Sequence, residues 1–321
     1  MKIERLMLAG FVAAIAIASG GCGGSSGGPP FAPIQTIYVP NVFNENVTEY
    51  TNRDNGDVAP IATIGGPDTQ LNTPRGVAVE RDGDILVCDG SGLIARFAHD
   101  ANGDVAPIST IAGSNTMISN CAGIAVDRQG NIVMTNIITN LLILKFPPNA
   151  SGNIAPSAAI SGSNTQFMTL FGVAIDRSND IWVTDSGNSA IYEFASDADG
   201  NVAPIASISG ANTMLNSPAG LAFAPNGDLY VANGNANQIL VFAKGSDGDV
   251  APASTIEGPA TGLNSPLGIA FDNLSRLWVG NFIAPSSLVA FNGNATGNAA
   301  PRLTISGSAT LLNAPEFLAV H

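Results

Sequence analysis

Two rings of side chains carry the groups that could bind or transform a ligand. The first ring ends one predicted strand in each of six repeats and contains only Asp and Asn. Its members are Asn41, Asp89, Asn136, Asp185, Asn233 and Asn281. Their oxygens could accept hydrogen bonds from a ligand or hold a cation, but Asp and Asn also cap turns by bonding backbone N–H groups. Both interpretations stay open, and the sixfold recurrence favours capping, because an asymmetric ligand rarely needs the same group in every repeat.

The second ring lies just before the first predicted strand's Gly, and it varies from repeat to repeat. Its members are Arg75, Ala122, Phe171, Ala219, Leu267 and Glu316. Only Arg75 and Glu316 are charged, so an asymmetric function should start from these two residues. A hard divalent cation needs several oxygen ligands, and this ring offers one carboxylate. We therefore predict no metal site and no cofactor, with Ca²⁺ at the Asp and Asn ring as the one cation left open.

Catalytic side chains are scarce elsewhere. The two histidines, His99 and His321, have no evident acid–base partner, and no Ser–His–acid set can be assembled. The loop containing Asp197 and Asp199 resembles a calcium loop but lacks the distal Glu that completes an EF-hand. We predict no catalytic residue, and we leave the enzyme question open while favouring a non-enzyme.

A repeat of about 48 residues must position both rings. An Asp/Asn-x-Ala-Pro phrase recurs six times, with its prolines at Pro60, Pro107, Pro156, Pro204, Pro252 and Pro301. Each repeat also contains a Gly-containing apolar strand, a strand that ends in Asp or Asn, and a third strand that carries an aromatic residue near its end. A fourth strand follows the Ala-Pro turn, and four strands per repeat is the composition of a β-propeller blade.

The packing pattern predicts which strand lies nearest the propeller axis. Small residues such as Gly76 and Ala78 recur in the first strand, where blades converge and space is least. The aromatic series belongs to the core between diverging blades: Tyr50, Phe97, Phe146, Phe194, Phe242 and Phe291. The first repeat lacks a first strand and the last repeat has little else. We therefore predict an all-β, six-bladed propeller closed by a clasp between residues 34–41 and 315–321.

The repeat resembles the NHL repeat, most closely over Pro218 to Asn233 and Leu263 to Asn281. The resemblance covers residues 34–321 and implies a six-bladed propeller of a family that mostly binds partners. Related propellers include lactonases and lyases. The regucalcin and gluconolactonase family, similar in shape, places metal ligands at the position before the Gly, where this chain has mostly apolar residues. Streptogramin lyases use channel histidines, which the predicted positions of His99 and His321 do not match.

The N-terminus is predicted to direct export. Residues 1–21 combine Lys2 and Arg5 with a short apolar run, as signal peptides do. Small residues before Cys22 resemble a bacterial lipobox, although Ser19 stands where Leu is usual. We predict lipidation at Cys22, a flexible tether over residues 22–33 and a lipid anchor to the bacterial cell envelope, facing the periplasm or the surface.

Charge and cysteine content limit the class of partner. The formal net charge is −13, and an acidic surface repels nucleic acid. Cys88 and Cys121 lie in adjacent repeats, and a disulfide and two buried thiols both stay open. We expect a binding or scaffold module for a small ligand or an envelope protein. An exported lactonase-like hydrolase or lyase, with its site at the channel mouth, is the alternative.

Overall fold

The computed structural model describes residues 32–137 and 141–321, which contain 24 β-strands. They are β1 (Thr36–Asn41), β2 (Asn46–Thr51), β3 (Ala62–Gly65), β4 (Pro74–Val79), β5 (Ile85–Asp89), β6 (Leu93–Phe97), β7 (Ser109–Ala112), β8 (Cys121–Val126), β9 (Ile132–Asn136), β10 (Leu142–Phe146), β11 (Ala158–Ile160), β12 (Leu170–Ile175), β13 (Ile181–Asp185), β14 (Ala190–Phe194), β15 (Ala206–Ser209), β16 (Pro218–Phe223), β17 (Leu229–Asn233), β18 (Gln238–Phe242), β19 (Ser254–Ile256), β20 (Pro266–Phe271), β21 (Leu277–Asn281), β22 (Ser287–Phe291), β23 (Leu303–Ser306) and β24 (Ala319–Val320). Short 3₁₀ helices lie in the loops, at Val42–Asn44, Pro67–Thr69, Ser163–Thr165, Ala211–Thr213, Gly234–Ala236 and Ser308–Thr310.

The strands form six four-stranded antiparallel sheets, which are the six blades of a β-propeller. Blade 1 has the order β24-β1-β2-β3, and blades 2 to 6 each take the next four strands in sequence order. The register of blade 1 pairs Ile37 with Val320 and Tyr38 with Ala319. The C-terminal strand therefore supplies the first strand of the blade that the N-terminal strands begin, and the predicted clasp is confirmed.

Close approach between blades explains the Gly of the first strands. A Cβ on Gly76 would lie 2.3 Å from the Ala122 carbonyl oxygen, and a Cβ on Gly220 would lie 2.3 Å from that of Leu267. Neighbouring first strands contact one another around the ring, so they lie nearest the axis, as predicted. In blade 1, Phe317 stands at the position of this Gly.

The aromatic series fills the space between blades further out. All six side chains are fully buried, as the sequence predicts for core residues: Tyr50, Phe97, Phe146, Phe194, Phe242 and Phe291. Burying an aromatic or large aliphatic side chain contributes about 1.5–3 kcal/mol, so these positions stabilise each blade interface.

The Ala-Pro turns join neighbouring blades. Asp104, in the turn between β6 and β7, accepts the backbone N–H of Asp68 through Oδ1 at 2.7 Å. The same bond recurs around the ring, from Asn115 to Asn153, Asn164 to Asn201, Asn212 to Asp249, Ala260 to Asn298 and Ala309 to Asp57. Each turn thus binds the loop that follows the fourth strand of the preceding blade, which explains why Asp or Asn recurs there.

A disulfide also links two blades. Cys88 of β5 is bonded to Cys121 of β8, with their Cα atoms 5.5 Å apart, inside the usual range for disulfides. Residues Pro33 to His321 form one compact unit. In the described residues we find no helix with the length and apolar composition needed to span a bilayer. The predicted signal peptide lies outside the described residues, as do residues 22–31 of the predicted tether, which include Cys22.

Candidate functional site

The Asp and Asn ring is buried and binds the protein's own backbone. Asp89 Oδ2 accepts the N–H groups of Asn72 and Thr73, each at 2.9 Å. Asp185 accepts those of Met168 and Thr169 at 2.7 and 2.8 Å. Each of these acids thereby holds the loop that leads into the first strand of its own blade, which is the capping role.

The four Asn members of the ring act in the same way. Asn281 Oδ1 accepts the N–H of Asn264 at 2.9 Å while its amide donates to the Gly262 carbonyl at 2.9 Å. Equivalent bonds join Asn41 to Asn313, Asn136 to Ser119 and Asn233 to Asn216. All six ring side chains have no solvent exposure: Asn41, Asp89, Asn136, Asp185, Asn233 and Asn281. In this structure, none of the six side chains of this ring is accessible to a ligand.

Arg75 and Glu316 form an ion pair across the closing interface between blades 1 and 2. Arg75 Nη1 lies 2.9 Å from Glu316 Oε1, and the side chains are 21% and 4% exposed. Burial raises the pKa of Glu316, and the Arg75 charge opposes that rise. Arg75 Nε has no hydrogen-bond partner. The two charged residues predicted to break the symmetry of the second ring are thus brought together.

Phe171 of the second ring and Phe317, the residue after Glu316, pack together beside this ion pair. Phe171 belongs to blade 4 and Phe317 to blade 1, which lie opposite each other in a ring of six. Their ring centroids are nevertheless 5.3 Å apart. The axis therefore ends in an aromatic contact on this side, and Arg75 and Glu316 lie at its edge.

The loops around this mouth expose apolar side chains. We call this side the mouth face; it comprises the loops after the second strands and the loops that lead into the first strands. Among the residues that the structure describes, the large exposed hydrophobics of this face are 45% to 67% accessible: Phe43, Met117, Met168, Met214, Ile283 and Leu311. Contacts such as that of the Phe43 and Phe282 rings, 6.1 Å apart, join loops of neighbouring blades. The mouth face therefore carries exposed hydrophobic side chains around one partly exposed ion pair.

The remaining sequence candidates lie elsewhere. His99 is exposed in the turn after β6, away from the mouth face, and His321 is exposed at the C-terminus. In the loop that resembles a calcium loop, Asp199 Oδ1 accepts the N–H of Ala159 at 2.8 Å, so it belongs to the contact between blades.

One cluster was not predicted from the sequence. Asp176, Asp180 and Glu193 place carboxylate oxygens within 4.8 Å of one another, beside Trp182. They lie at the opposite end of the blades from the mouth face. An alignment of the repeats could have pointed to this cluster, because Glu193 stands at the position of the basic residues Arg96 and Lys145 in the two preceding blades.

Comparison with known proteins supports the repeat assignment. The NHL repeat family matches residues 215–242, which span β16 to β18. No curated protein sequence matches this chain.

Solved structures share the fold at low sequence identity. A protein of unknown function from Bacteroides caccae is 13% identical with a TM-score of 0.66, covering 90% of this chain and 99% of that one. A Bacteroides uniformis protein, provisionally ascribed as a 6-phosphogluconolactonase, is 15% identical with a TM-score of 0.59, covering 86% and 83%. Virginiamycin B lyase from Staphylococcus aureus is 17% identical with a TM-score of 0.49, covering 71% of each chain.

The chain is thus a six-bladed β-propeller that contains an NHL repeat at residues 215–242.

Proposed function

We propose that this protein is an exported, membrane-tethered propeller that binds a partner protein or ligand through its mouth face. The observation that carries this proposal is the set of exposed apolar side chains around the mouth. Exposed hydrophobic side chains gathered on one face of a protein are a feature of interaction sites. Met117, Met168 and Met214 add side chains that adapt to the shape of a partner.

Arg75 gives this surface a polar anchor. Its guanidinium is partly exposed and donates one hydrogen bond to Glu316. Arginine at the centre of an apolar interface is a frequent source of binding energy. An acceptor group of the partner, such as a carboxylate or a backbone carbonyl, would complete the hydrogen bonding of Arg75.

Export and tethering rest on the N-terminal sequence. Residues 1–21 have the pattern of a signal peptide, and Cys22 would carry the lipid. The bond between Cys88 and Cys121 supports an oxidising compartment, because structural disulfides are rare in the cytosol. The net charge of −13 disfavours nucleic acid as the partner.

The alternative, an exported hydrolase or lyase, would draw its groups from Arg75, Asp89, Asp185 and Glu316. Asp89 and Asp185 are fully buried and bind backbone N–H groups. Arg75 and Glu316 are paired with each other. No observation on these residues favours catalysis over binding, so we propose the binding function.

Capture from a membrane-envelope extract tests the binding function. The bait is the chain from residue 33, compared with Met117→Asp/Met214→Asp on the mouth face. The control is Ile108→Asp/Ile205→Asp, which changes two residues at the outer edge of blades that are even more exposed, at 58% against 45% for Met117 and Met214. We expect one protein or ligand to be retained by the wild type and the control and lost from the mouth-face variant. Equal retention by all three chains would contradict the proposal.

Fractionation tests the tether. The full chain should sediment with membranes and leave them after Cys22→Ser, while a conservative Ser19→Ala change leaves it bound. A full chain that stays soluble in both forms would refute lipid anchoring.

A further inference from the structure

Ion pairs inside the blades reveal a missing cation. In four blades the residue that follows the first strand is acidic, and in three of these a basic residue neutralises it. Arg96 Nε lies 2.7 Å from Glu80, Lys145 Nζ lies 3.1 Å from Asp127, and Arg276 Nη2 lies 2.6 Å from Asp272. The fourth acid is Asp176 in blade 4, and none of the ion pairs in the described residues includes it.

Blade 4 carries acids at both positions that supply these cations. Glu193 comes directly before the aromatic residue that ends the third strand of blade 4. Blades 2 and 3 have Arg96 and Lys145 at this position. Asp180 follows Asp176 by four residues, as Arg276 follows Asp272. The oxygens of the three blade 4 acids lie within 4.8 Å of one another. Blade 4 therefore keeps the acid and replaces its cationic partners with further negative charge.

Asp176 is oriented as its counterpart in blade 3 is. Asp176 Oδ1 accepts the N–H groups of Ser178 and Asp180 at 2.8 and 2.9 Å. Asp127 Oδ1 accepts the equivalent two at 2.9 and 2.8 Å, which leaves its Oδ2 to bind the Lys145 ammonium. The second carboxylate oxygen of Asp176 therefore corresponds to the Asp127 oxygen that binds the Lys145 ammonium group in blade 3.

Trp182 provides an independent sign of an incomplete site. It corresponds to Trp278, whose indole N–H donates to Asp272 Oδ2 at 3.1 Å. Trp182 is 7% exposed, and its Nε1 is buried without a hydrogen-bond partner. It lies beside Glu193 in the wall of a cavity.

Asp176, Glu193 and Trp182 line a cavity of about 230 Å³ between blades 4 and 5, and Asp180 adjoins its two acids. Phe223 and Ile208 form apolar walls, and Asp247 adds a further acid to the lining. Two basic residues also line it. Arg177 donates to the Pro225 carbonyl, and Lys244 is exposed; neither forms an ion pair with these acids among the described contacts. We call this the acidic cavity.

We propose that the acidic cavity binds a small organic cation that carries a primary ammonium group on an alkyl chain. The ammonium group takes the place that the Lys145 ammonium has in blade 3, between Asp176 and Glu193. The alkyl chain packs on Trp182 and Phe223, and an aromatic face also attracts the charge. A hard divalent ion instead requires six to eight oxygens, whereas much of this wall is apolar.

The electrostatics support this assignment. Burial and the charges of Asp176, Asp180 and Asp247 raise the pKa of Glu193 to about 7. The four acids therefore repel one another, and a bound cation relieves that repulsion. In blade 3, Lys145 also donates to the Ser196 carbonyl of blade 4 at 3.1 Å. Lys244 of blade 5 stands at the position that corresponds to Ser196 and lines the acidic cavity.

Calorimetry with n-pentylamine, which reproduces a lysine side chain, tests the proposal on the whole propeller at pH 8. We expect saturable binding at one site per chain, weakened at least about tenfold by Glu193→Gln, equivalent to 1.4 kcal/mol. Glu193→Lys supplies the ammonium group from the chain itself, and it should abolish binding while raising the melting temperature. Asp197→Asn, which removes an exposed charge of the same blade outside the cavity, should leave binding unchanged.

Three results would overturn the proposal. One is the absence of saturable amine binding up to about 50 mM, because even a 1 mM Kd requires only about 4 kcal/mol. Another is binding that survives Glu193→Lys in a folded chain. The third is stoichiometric Ca²⁺ binding that depends on Glu193 while the amine does not bind, which would make this a metal site. Loss of partner capture through the mouth face would leave these results unaffected.

Discussion

Asp57 Oδ1 accepts the backbone N–H of Ala309 at 2.7 Å, although 252 residues separate them in the chain. The bond joins blade 1 to the loop that leads from blade 6 into the C-terminal strand. Next to it, the N–H of Gly56 donates to the Thr304 carbonyl at 2.6 Å. The ring is thus closed at its outer edge as well as by the β1 and β24 pairing near the axis.

Replacing Asp57 should loosen this closure. Asp57→Ala removes one hydrogen bond to a charged acceptor, and we expect a loss of about 1.5–3 kcal/mol in the free energy of unfolding. Asp104→Ala removes the matching bond between blades 1 and 2 and serves as the control. Hydrogen exchange should accelerate in β1 and β24 only for Asp57→Ala. The same exchange pattern in both variants would contradict a special role of Asp57 in closure.

The ion pair at the mouth predicts a pH-dependent defect. Arg75→Met leaves the Glu316 carboxyl buried without its cation, so its pKa should rise further. An acid with a raised pKa binds more protons in the folded chain than in the unfolded chain, and stability then falls as the pH rises through that pKa. We expect Arg75→Met to be destabilised by about 3 kcal/mol at pH 8 and by less at pH 5, as measured by urea denaturation.

The double variant Arg75→Met/Glu316→Leu provides the control for that experiment. It removes both charges from the buried pair, so its stability should stay close to that of the wild type at both pH 5 and pH 8. A double variant as unstable as Arg75→Met would show that shape at the mouth, not charge, causes the loss.

Glu49 predicts a second pH effect, far from the mouth. It is 6% exposed, its Oε1 has no hydrogen-bond partner, and burial raises its pKa to about 7. Between its ordinary pKa and this value, the folded chain holds the extra proton, so stability decreases as the pH rises. Glu49→Gln should therefore stabilise the protein at pH 8 by about 1–3 kcal/mol and have little effect near pH 4.

Glu45→Gln is the matched control, because Glu45 is exposed in the loop before the same strand. Its stability should follow the wild type at every pH. A pH profile of Glu49→Gln that is parallel to that of the wild type would contradict the buried-carboxyl assignment. Part of the slope should remain, since Glu193 also has a pKa of about 7.

The disulfide predicts both a thiol pattern and a stability loss. Alkylation without reductant should modify neither Cys88 nor Cys121 in the exported protein. The bond closes a loop with a sequence separation of 33. Its removal by Cys88→Ser/Cys121→Ser should lower the free energy of unfolding by about 3–4 kcal/mol. Full alkylation of both cysteines in native protein would contradict the bond.

The features that recur in every repeat could be predicted from the sequence. The Gly of five first strands and the aromatic residue of each third strand depend only on distance from the axis, so the recurring pattern predicts blade, core and clasp. It left open whether the Asp and Asn ring binds a ligand, because capping and ligand binding use the same atoms; burial of Asp89 and Asn281 now favours capping.

Contacts between distant repeats were beyond that reasoning. The approach of Phe171 to Phe317 depends on the closed geometry of the ring, since the two residues belong to opposite blades. The acidic cavity was also not predicted. In blades 2 and 3, Arg96 and Lys145 pair with an acid, and only these ion pairs show that blade 4, with Glu193 at the same position, has no such cation. From the sequence, Asp57 and its equivalents looked like local turn residues. The N–H groups that donate to them lie in the preceding blade, and only the structure shows those bonds.

Photo-crosslinking in the native cell envelope tests the mouth face most directly. A photoreactive amino acid replaces Met214 on the mouth face or, in the matched chain, Ile205 at the outer edge of blade 4. We expect a discrete crosslinked product from position 214 and none from position 205, and Arg75→Met should diminish it. Crosslinking of equal yield from both positions, or from position 205 alone, would contradict binding through the mouth face.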